Sequence, residues 1–320
     1  RRTMKIGILG AGRIAEHIVN TVKQMPGMTV HAVAARDGGR AQSFAGAHGI
    51  PKAYGTYLEL ARDEEVELVY VATVHSCHYE NVKLCLEHGK NVLCEKAFMM
   101  NAKEASEVIE LAGRKGVLLA EAIWTRYMPS RGIIDSLLAE GAIGRVTSLT
   151  ANLGYPVCTK ERLMRPELGG GALLDLGVYP VNFALMAFGE DYESVSADAV
   201  MADTGVDAID SITLKWKDGR CAVLHANMLA VTDRLGCIYG EKGYIIVENI
   251  NNCEQITVFD KDHKPARRIS VPEQISGYEY EFLACKKAIE EGRTECEEMP
   301  LKSSLKVMEL LDEIRSCWGR

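Results

Sequence analysis

The sequence predicts an α/β protein in two parts. Residues 1–123 form an N-terminal doubly wound parallel sheet, and residues 124–320 a C-terminal α/β domain with an open, mostly antiparallel sheet. Three observations carry this. Short apolar runs alternate with amphipathic helical patterns over roughly the first 120 residues. A glycine turn, Gly10-Ala11-Gly12-Arg13-Ile14-Ala15, joins the first run to the first helix. Beyond about Ile123, long segments alternate apolar and polar residues, as strands do when one face is packed and the other solvated or paired.

In the first part, strands are expected at Lys5–Leu9, Thr29–Ala35, Leu68–Ala72, Asn91–Cys94 and Val117–Ala120. Helical patterns lie near Arg13–Met25, Gly39–His48, Tyr57–Arg62, Tyr79–His88 and Ala102–Lys115. Helices between short apolar strands cover both faces of a parallel sheet. Right-handed crossovers then put the ligand crevice at the carboxyl ends of the strands. In the second part a helix near Ser130–Glu140 leads into a strand at Val146–Tyr155. The cluster Gly169-Gly170-Gly171 precedes a helix running to about Phe188. Alternating segments follow at Tyr192–Met201, Ala208–Trp216, Ala222–Leu229, Arg234–Tyr239, Gly243–Asn249, Gln255–Asp260 and Ala266–Val271. Lys217-Asp218-Gly219 and Gly240-Glu241-Lys242-Gly243 supply turns between some of them. Helices near Gly277–Gly292 and Leu301–Cys317 close the chain.

Composition narrows the function classes. At 320 residues, with 47% hydrophobic and 25% charged side chains, the chain can bury a sizeable core and is not disordered. A net charge of −7 argues against nucleic acid or an anionic membrane as partner. No apolar run is expected to span a bilayer, and no signal-peptide pattern precedes the first strand; Arg1-Arg2-Thr3 form a short basic start. The ten cysteines contain no C-x-x-C pair and lie mostly inside apolar patterns, where a thiol serves as a small hydrophobe. A reduced, cytoplasmic protein is expected.

The glycine turn has the form that binds a dinucleotide. Gly10 permits the tight turn, Gly12 leaves the backbone open to a pyrophosphate, and Ala15 lets helix and strand pack closely. The anion meets free N–H groups at Arg13 and Ile14, at the positive end of the helix dipole. The second strand ends Val33-Ala34-Ala35-Arg36-Asp37, with Arg40 a helical turn further on. A carboxylate there would bind the ribose 2′-hydroxyl of NAD; Arg36 suits the 2′-phosphate of NADP, by bidentate pairing and by stacking on adenine. NADP is the expected cofactor, and Asp37 keeps NAD open.

Two further motifs carry chemistry. Cys94-Glu95-Lys96-Ala97 ends an apolar strand and places Lys96 at the carboxyl edge of the sheet, where an ammonium can hold a substrate hydroxyl or lower the pKa of a neighbouring acid. In Asp175-Leu176-Gly177-Val178-Tyr179, a helix would put Asp175 and Tyr179 on one face at i and i+4. Such a pair can be a purely structural hydrogen bond, or a proton-transfer group beside a substrate ligand. His75-Ser76-Cys77-His78 follows a sheet strand and has no third ligand in sequence, so no metal is expected. Thr73 and His78 are candidate contacts to the dinucleotide, and Trp124 and Arg126 face the crevice in this reading.

Taken together, these motifs resemble the glucose–fructose oxidoreductase/inositol dehydrogenase/rhizopine-catabolism (Gfo/Idh/MocA) family over essentially the whole chain. The residues are Gly10 to Ala15, Ala72 to His78, Glu95-Lys96 and Asp175 to Tyr179. Glu121 to Pro129 and Gly169 to Tyr179 look most like its branch of dimeric dihydrodiol dehydrogenases and NADP-dependent D-xylose dehydrogenases. The resemblance implies a Rossmann domain joined to a C-terminal domain whose open sheet forms a homodimer or a dimer of dimers. It also implies that Lys96 and Tyr179 are the catalytic pair, that Asp175 orients the substrate, and that Glu95 lies at the cofactor. The substrate would be a sugar, polyol or dihydrodiol, oxidised reversibly with hydride passing to nicotinamide. One departure stands out: the family commonly has Glu-Lys-Pro, often with a cis bond, whereas Ala97 follows Lys96 here. Because a non-proline cis bond costs about 2.5–4 kcal/mol, a trans peptide is expected. The rival readings are a non-enzymatic NADP-binding regulator and an NAD-dependent glycosidase that keeps its cofactor.

Overall fold

The computed structural model describes residues 2–319, so Arg1 and Arg320 lie outside the described residues. The chain forms two compact units. The first runs to Trp124 and takes in Gln274–Leu305; the second holds Thr125–Glu273 and continues from Lys306. The first unit is thus assembled from two stretches of chain, where the sequence suggested one.

The first unit follows the expected alternation: β1 (Met4–Leu9), α1 (Arg13–Val22), β2 (Met28–Ala34), α2 (Gly38–His48), β3 (Lys52–Tyr54), α3 (Tyr57–Ala61), β4 (Leu68–Val71), α4 (His78–Glu87), β5 (Asn91–Glu95), α5 (Ala102–Lys115) and β6 (Leu119–Ala122). All six strands are parallel, in the order β3-β2-β1-β4-β5-β6. Strand order reverses between β1 and β4, the place where a doubly wound sheet opens a crevice at its carboxyl edge. Local chemistry sets the helix starts. Thr56 caps α3 and Asn101 caps α5, each accepting a backbone N–H three residues on, and α5 ends on the left-handed Gly116. Ala15, Ile18, Val19 and Val22 of α1 fall at i, i+3, i+4 and i+7 and are buried. Late in the chain α9 (Glu279–Glu290) brings Phe282 against Tyr70 of β4, with ring centroids 5.5 Å apart.

The second unit contains α6 (Pro129–Ala139), β7 (Val146–Gly154), α7 (Glu161–Met164), α8 (Val178–Phe188), β8 (Tyr192–Met201), β9 (Asp207–Trp216), β10 (Cys221–Asn227), β11 (Gly236–Gly240), β12 (Gly243–Glu248), β13 (Gln255–Asp260) and β14 (Pro265–Ser270). Helix α10 (Leu301–Cys317) begins in the first unit and ends in the second. Its eight strands make one sheet, β14-β13-β12-β11-β7-β10-β9-β8, antiparallel except where β10 runs beside β7. Ala222, Leu224 and Ala226 of β10 alternate with half-exposed or exposed neighbours, so one face is packed and the other open. The packed face lies under the segment that ends in α8.

That segment corrects one expectation. Pro166–Phe188 is long and apolar enough, by length and composition, to cross a membrane, although 83% of the relevant window is buried inside the protein, as in a core helix. The ten cysteines are free thiols.

Leu93 of β5, a strand paired on both sides in the first sheet, is fully buried. Leu93→Ala is expected to cost about 2–5 kcal/mol in urea-induced unfolding, and a loss below about 1 kcal/mol would contradict this packing.

Candidate active site

The glycine turn is built as the dinucleotide reading requires. Gly10 has φ +102, and a Cβ there would lie 2.8 Å from the Ala72 carbonyl in the loop after β4. Its N–H donates to the Ala34 carbonyl at 2.9 Å, so the ends of β1, β2 and β4 converge on this residue. At Gly12, which precedes α1, a Cβ would meet nothing within 4 Å among the described residues, and no side chain caps the helix. The first-turn N–H groups therefore face open space, the arrangement that receives a phosphate. Arg13 and Ile14 are the first two residues of that turn.

At the end of β2, Arg36 and Arg40 are both exposed. The Arg40 Nη2 donates to the Ala11 carbonyl at 3.2 Å, which lays this side chain over the glycine turn. Asp37 is engaged elsewhere, because its Oδ1 accepts the N–H groups of Gly39, at 2.8 Å, and Arg40, at 3.3 Å, capping α2. Tyr57, which sequence reasoning missed, lies against Arg36. Burial pushes its pKa up, while the charges of Arg36 and Arg40 and a hydrogen bond from Arg36 pull it down. Two guanidinium groups and a phenol thus gather beyond the end of β2, a donor set of the kind that binds a phosphate.

The loops after β4 and β5 are tied together by His78. This fully buried side chain places Nδ1 at 2.7 Å from the Ala97 carbonyl and 3.1 Å from that of Phe98, with Nε2 at 3.0 Å from that of Thr73. Burial holds its pKa below the usual histidine value. The ring is flanked by carbonyls on both sides and, neutral, donates its single N–H to one side or the other, so the His75-to-His78 segment is a structural tie. Thr73 Oγ1 accepts a hydrogen bond from Asn81 at 2.8 Å. Glu95 is buried; it accepts the Tyr70 hydroxyl on Oε1 and the Lys96 N–H, at 3.1 Å, on Oε2. Lys96 is half-buried at the carboxyl edge of the sheet. The Lys96–Ala97 peptide is cis, which corrects the expected trans bond. The expectation weighed the intrinsic preference of the bond alone, whereas here Ala97, Phe98 and Met99 are fully buried and His78 holds two of the carbonyls. Trp124, the last residue of the unit's first stretch, stacks on Tyr278 with centroids 4.3 Å apart.

In the second unit, Asp175 and Tyr179 sit at the buried start of the segment leading into α8. Leu173–Gly177 is a π-helical turn and not the expected α-helix; the Val178 N–H reaches back to the Leu173 carbonyl. Pro180, lacking an N–H, cannot continue the ordinary ladder through this point. Arg162 Nη2 lies 3.8 Å from Asp175 Oδ1. Arg126, read from sequence as a crevice residue, is buried within this unit; its Nε donates to Asn182 Oδ1 at 2.8 Å, and Nη1 lies 3.8 Å from Glu190. Lys96 belongs to the first unit, and Asp175 and Tyr179 to the second.

Among the described residues one group of side chains has metal-ligand spacing: His31, Asp63 and Glu65. The Lys52 Nζ lies 2.8 Å from Glu65 and 3.3 Å from Asp63, so an ammonium already balances these carboxylates.

A doubly wound sheet, an uncapped glycine turn at its switch point and a lysine at its carboxyl edge define a nicotinamide-dependent oxidoreductase. Residues 4–122 match the family described as "Oxidoreductase family, NAD-binding Rossmann fold", and residues 134–246 match the "GFO/IDH/MocA C-terminal domain". The chain belongs to the Gfo/Idh/MocA family. It is 38% identical over 324 residues to the trans-1,2-dihydrobenzene-1,2-diol dehydrogenase of Xenopus laevis, covering 97% of this chain and 96% of that one. The enzyme of the same name from Danio rerio is 36% identical over 324 residues, covering 98% and 96%. Among solved structures, KijD10, a 3-ketoreductase from Actinomadura kijaniata in complex with NADP and TDP-benzene, superposes with a TM-score of 0.91 at 25% identity, covering 99% of this chain and 98% of that one.

Removing Arg36 tests the phosphate site. Arg36→Ala is expected to raise the KM for NADP by about 10- to 100-fold while leaving that for NAD within about twofold, as measured by initial rates. Equal effects on both cofactors would contradict the assignment.

Proposed function

We propose that the protein is an NADP-dependent dehydrogenase of compounds bearing adjacent hydroxyls: sugars, polyols or trans-dihydrodiols. The observation that carries this reading is the pairing of Asp175 and Tyr179 one turn apart at a buried π-helical turn, in a chain over a third identical to dihydrodiol dehydrogenases. A carboxylate and a phenol at that spacing suit two neighbouring hydroxyls. When bound, the nicotinamide supplies the hydride acceptor. Tyr179 takes the proton from the hydroxyl being oxidised, and Asp175 accepts a hydrogen bond from the second hydroxyl. Lys96 donates to the reacting oxygen and, by its charge, favours the tyrosinate. Arg36 and Arg40 favour NADP over NAD.

The open sheet face supports a homodimer. Val223 on β10 and Val200 and Met201 on the edge strand β8 are exposed apolar side chains, and Tyr239 and Tyr244 stand half-buried on β11 and β12. Unpaired thiols and the acidic net charge suit a cytoplasmic protein.

The test is NADPH formation at 340 nm with trans-1,2-dihydrobenzene-1,2-diol, D-xylose and myo-inositol. Tyr179→Phe and Lys96→Met are each expected to lower kcat by about 10²- to 10⁴-fold while NADP affinity, read by fluorescence, stays within about threefold. Turnover within about tenfold of wild type in both variants would remove the proposed pair. No NADPH with any alcohol would favour the regulatory reading, and product without net reduction the glycosidase.

A further inference from the structure

Under the Asp175–Tyr179 turn lie two carboxyl groups that the proposed mechanism does not use. Asp207, at the start of β9, accepts the Leu173 N–H on Oδ2 at 2.7 Å. Its Oδ1 stands so close to Gly171 that a Cβ there would lie 2.2 Å away, and Gly171 has φ +105. A side chain at residue 171 would therefore displace the carboxylate and strain the backbone together. Asp207 thus caps the segment that presents Asp175 two residues later and Tyr179 four residues beyond that.

Asp210 stands behind it, fully buried. In a regular strand, residues three apart point to opposite faces. Here the β8–β9 register runs Val200 to Ile209 and then Met201 to Asp207, a bulge that leaves Ala208 unpaired and turns both aspartates to the packed side. No donor among the described residues reaches either Asp210 oxygen, and the group bearing on it is the Asp207 carboxylate, which can only accept, so a bond between the two needs the proton on Asp210. The strand neighbours opposite Asp210 are Ala199 of β8 and Ala226 of β10. The segment packed on this face adds Asp175 and Tyr179, with Arg162 beyond Asp175.

We propose that Asp207, backed by a neutral Asp210 that donates its O–H to it, forms a positioning pair that fixes the turn carrying Asp175 and Tyr179. This rests on the proposed roles of those two residues. Burial first, then the hydrogen bond to Asp207 and its charge, push the Asp210 carboxyl up to about 10, so it is protonated at neutral pH. The stabilisation it gives is complete below the ordinary carboxylate pKa of about 4 and is lost as pH rises through about 10, because the unfolded chain releases this proton early and the folded chain late. Once Asp210 ionises, two carboxylates face each other and the cap loosens.

The experiment compares wild type with Asp210→Asn, which keeps a donor toward Asp207 but cannot ionise, and with Asp207→Ala and Asp207→Asn. Substrates are NADP with trans-1,2-dihydrobenzene-1,2-diol or D-xylose. The ratio of Asp210→Asn to wild-type kcat should rise by up to about twofold between about pH 7 and about pH 10, where half of Asp210 is ionised, and the variant's Tm should gain on that of wild type over the same range. Asp207→Ala should lose at least about tenfold in kcat with the KM for NADP within about threefold, and Asp207→Asn, which retains an acceptor for Leu173, should recover part of the loss. A flat kcat ratio and parallel Tm profiles would overturn the pair, as would Asp207→Ala turnover within about twofold of wild type. If Asp207→Ala does not fold, the Asp207→Asn rate and the Asp210→Asn profile decide. A wild-type protein inactive on both substrates overturns the functional reading, and the role built on it, whereas an active one with a flat ratio overturns the pair alone.

Discussion

The first unit depends on one buried imidazole. A parallel sheet ends in separate loops, and a reactive group carried on one of them is only as well placed as the ties between them. His78 supplies that tie: it opens α4 just after β4 and reaches the Thr73 carbonyl on its own side and the Ala97 and Phe98 carbonyls after β5. Lys96 precedes those carbonyls directly, and Glu95, locked by Tyr70 and by the Lys96 N–H, holds it from behind. The lysine at the sheet edge is therefore fixed by buried polar contacts on both sides, with its neighbours Ala97 to Met99 excluded from water. Deep burial keeps this imidazole from becoming a protonated switch near neutral pH.

The second unit solves a different problem, presenting a carboxylate and a phenol from beneath a sheet. The apolar content of Leu173–Phe188 drives it under the strands, yet its first turn must keep two polar groups oriented. Three features combine there: Gly171 admits a close carboxylate, Asp207 supplies it, and Pro180 interrupts the ladder so that the turn widens. Such local departures from regular geometry are common where chemistry is done.

Much of this was legible in the sequence because the signals were local. The strands β8 and β13 fall where alternation placed them, and α5 and α10 have the expected limits, α5 being marked at its ends by the Asn101 and Gly116 caps. The three residues of β3 are too few to show a period. Asp37 leaves NAD open in the sequence, whereas in the structure its carboxylate caps α2; Tyr57 reads as a helix start because its neighbour Arg36 is remote in sequence. The cis bond at Lys96–Ala97 was invisible because its stabilising partners come from α4. Asp207 falls just before the expected strand Ala208–Trp216 and Asp210 within it; only a bulge, which pattern does not announce, puts both on the packed face. The return of Gln274–Leu305 to the first unit is likewise a matter of tertiary contact, shown by Tyr278 beneath Trp124 and Phe282 beside Tyr70.

The central claim is that a substrate carbinol passes its hydride to a bound nicotinamide while side chains manage the proton. The most direct measurement follows a deuterium label from the oxidised carbon of a carbinol-deuterated dihydrodiol or sugar. The account predicts one deuterium per turnover on the reduced NADP recovered from the reaction, seen by mass spectrometry. Product formed with the label absent from the released cofactor would contradict it.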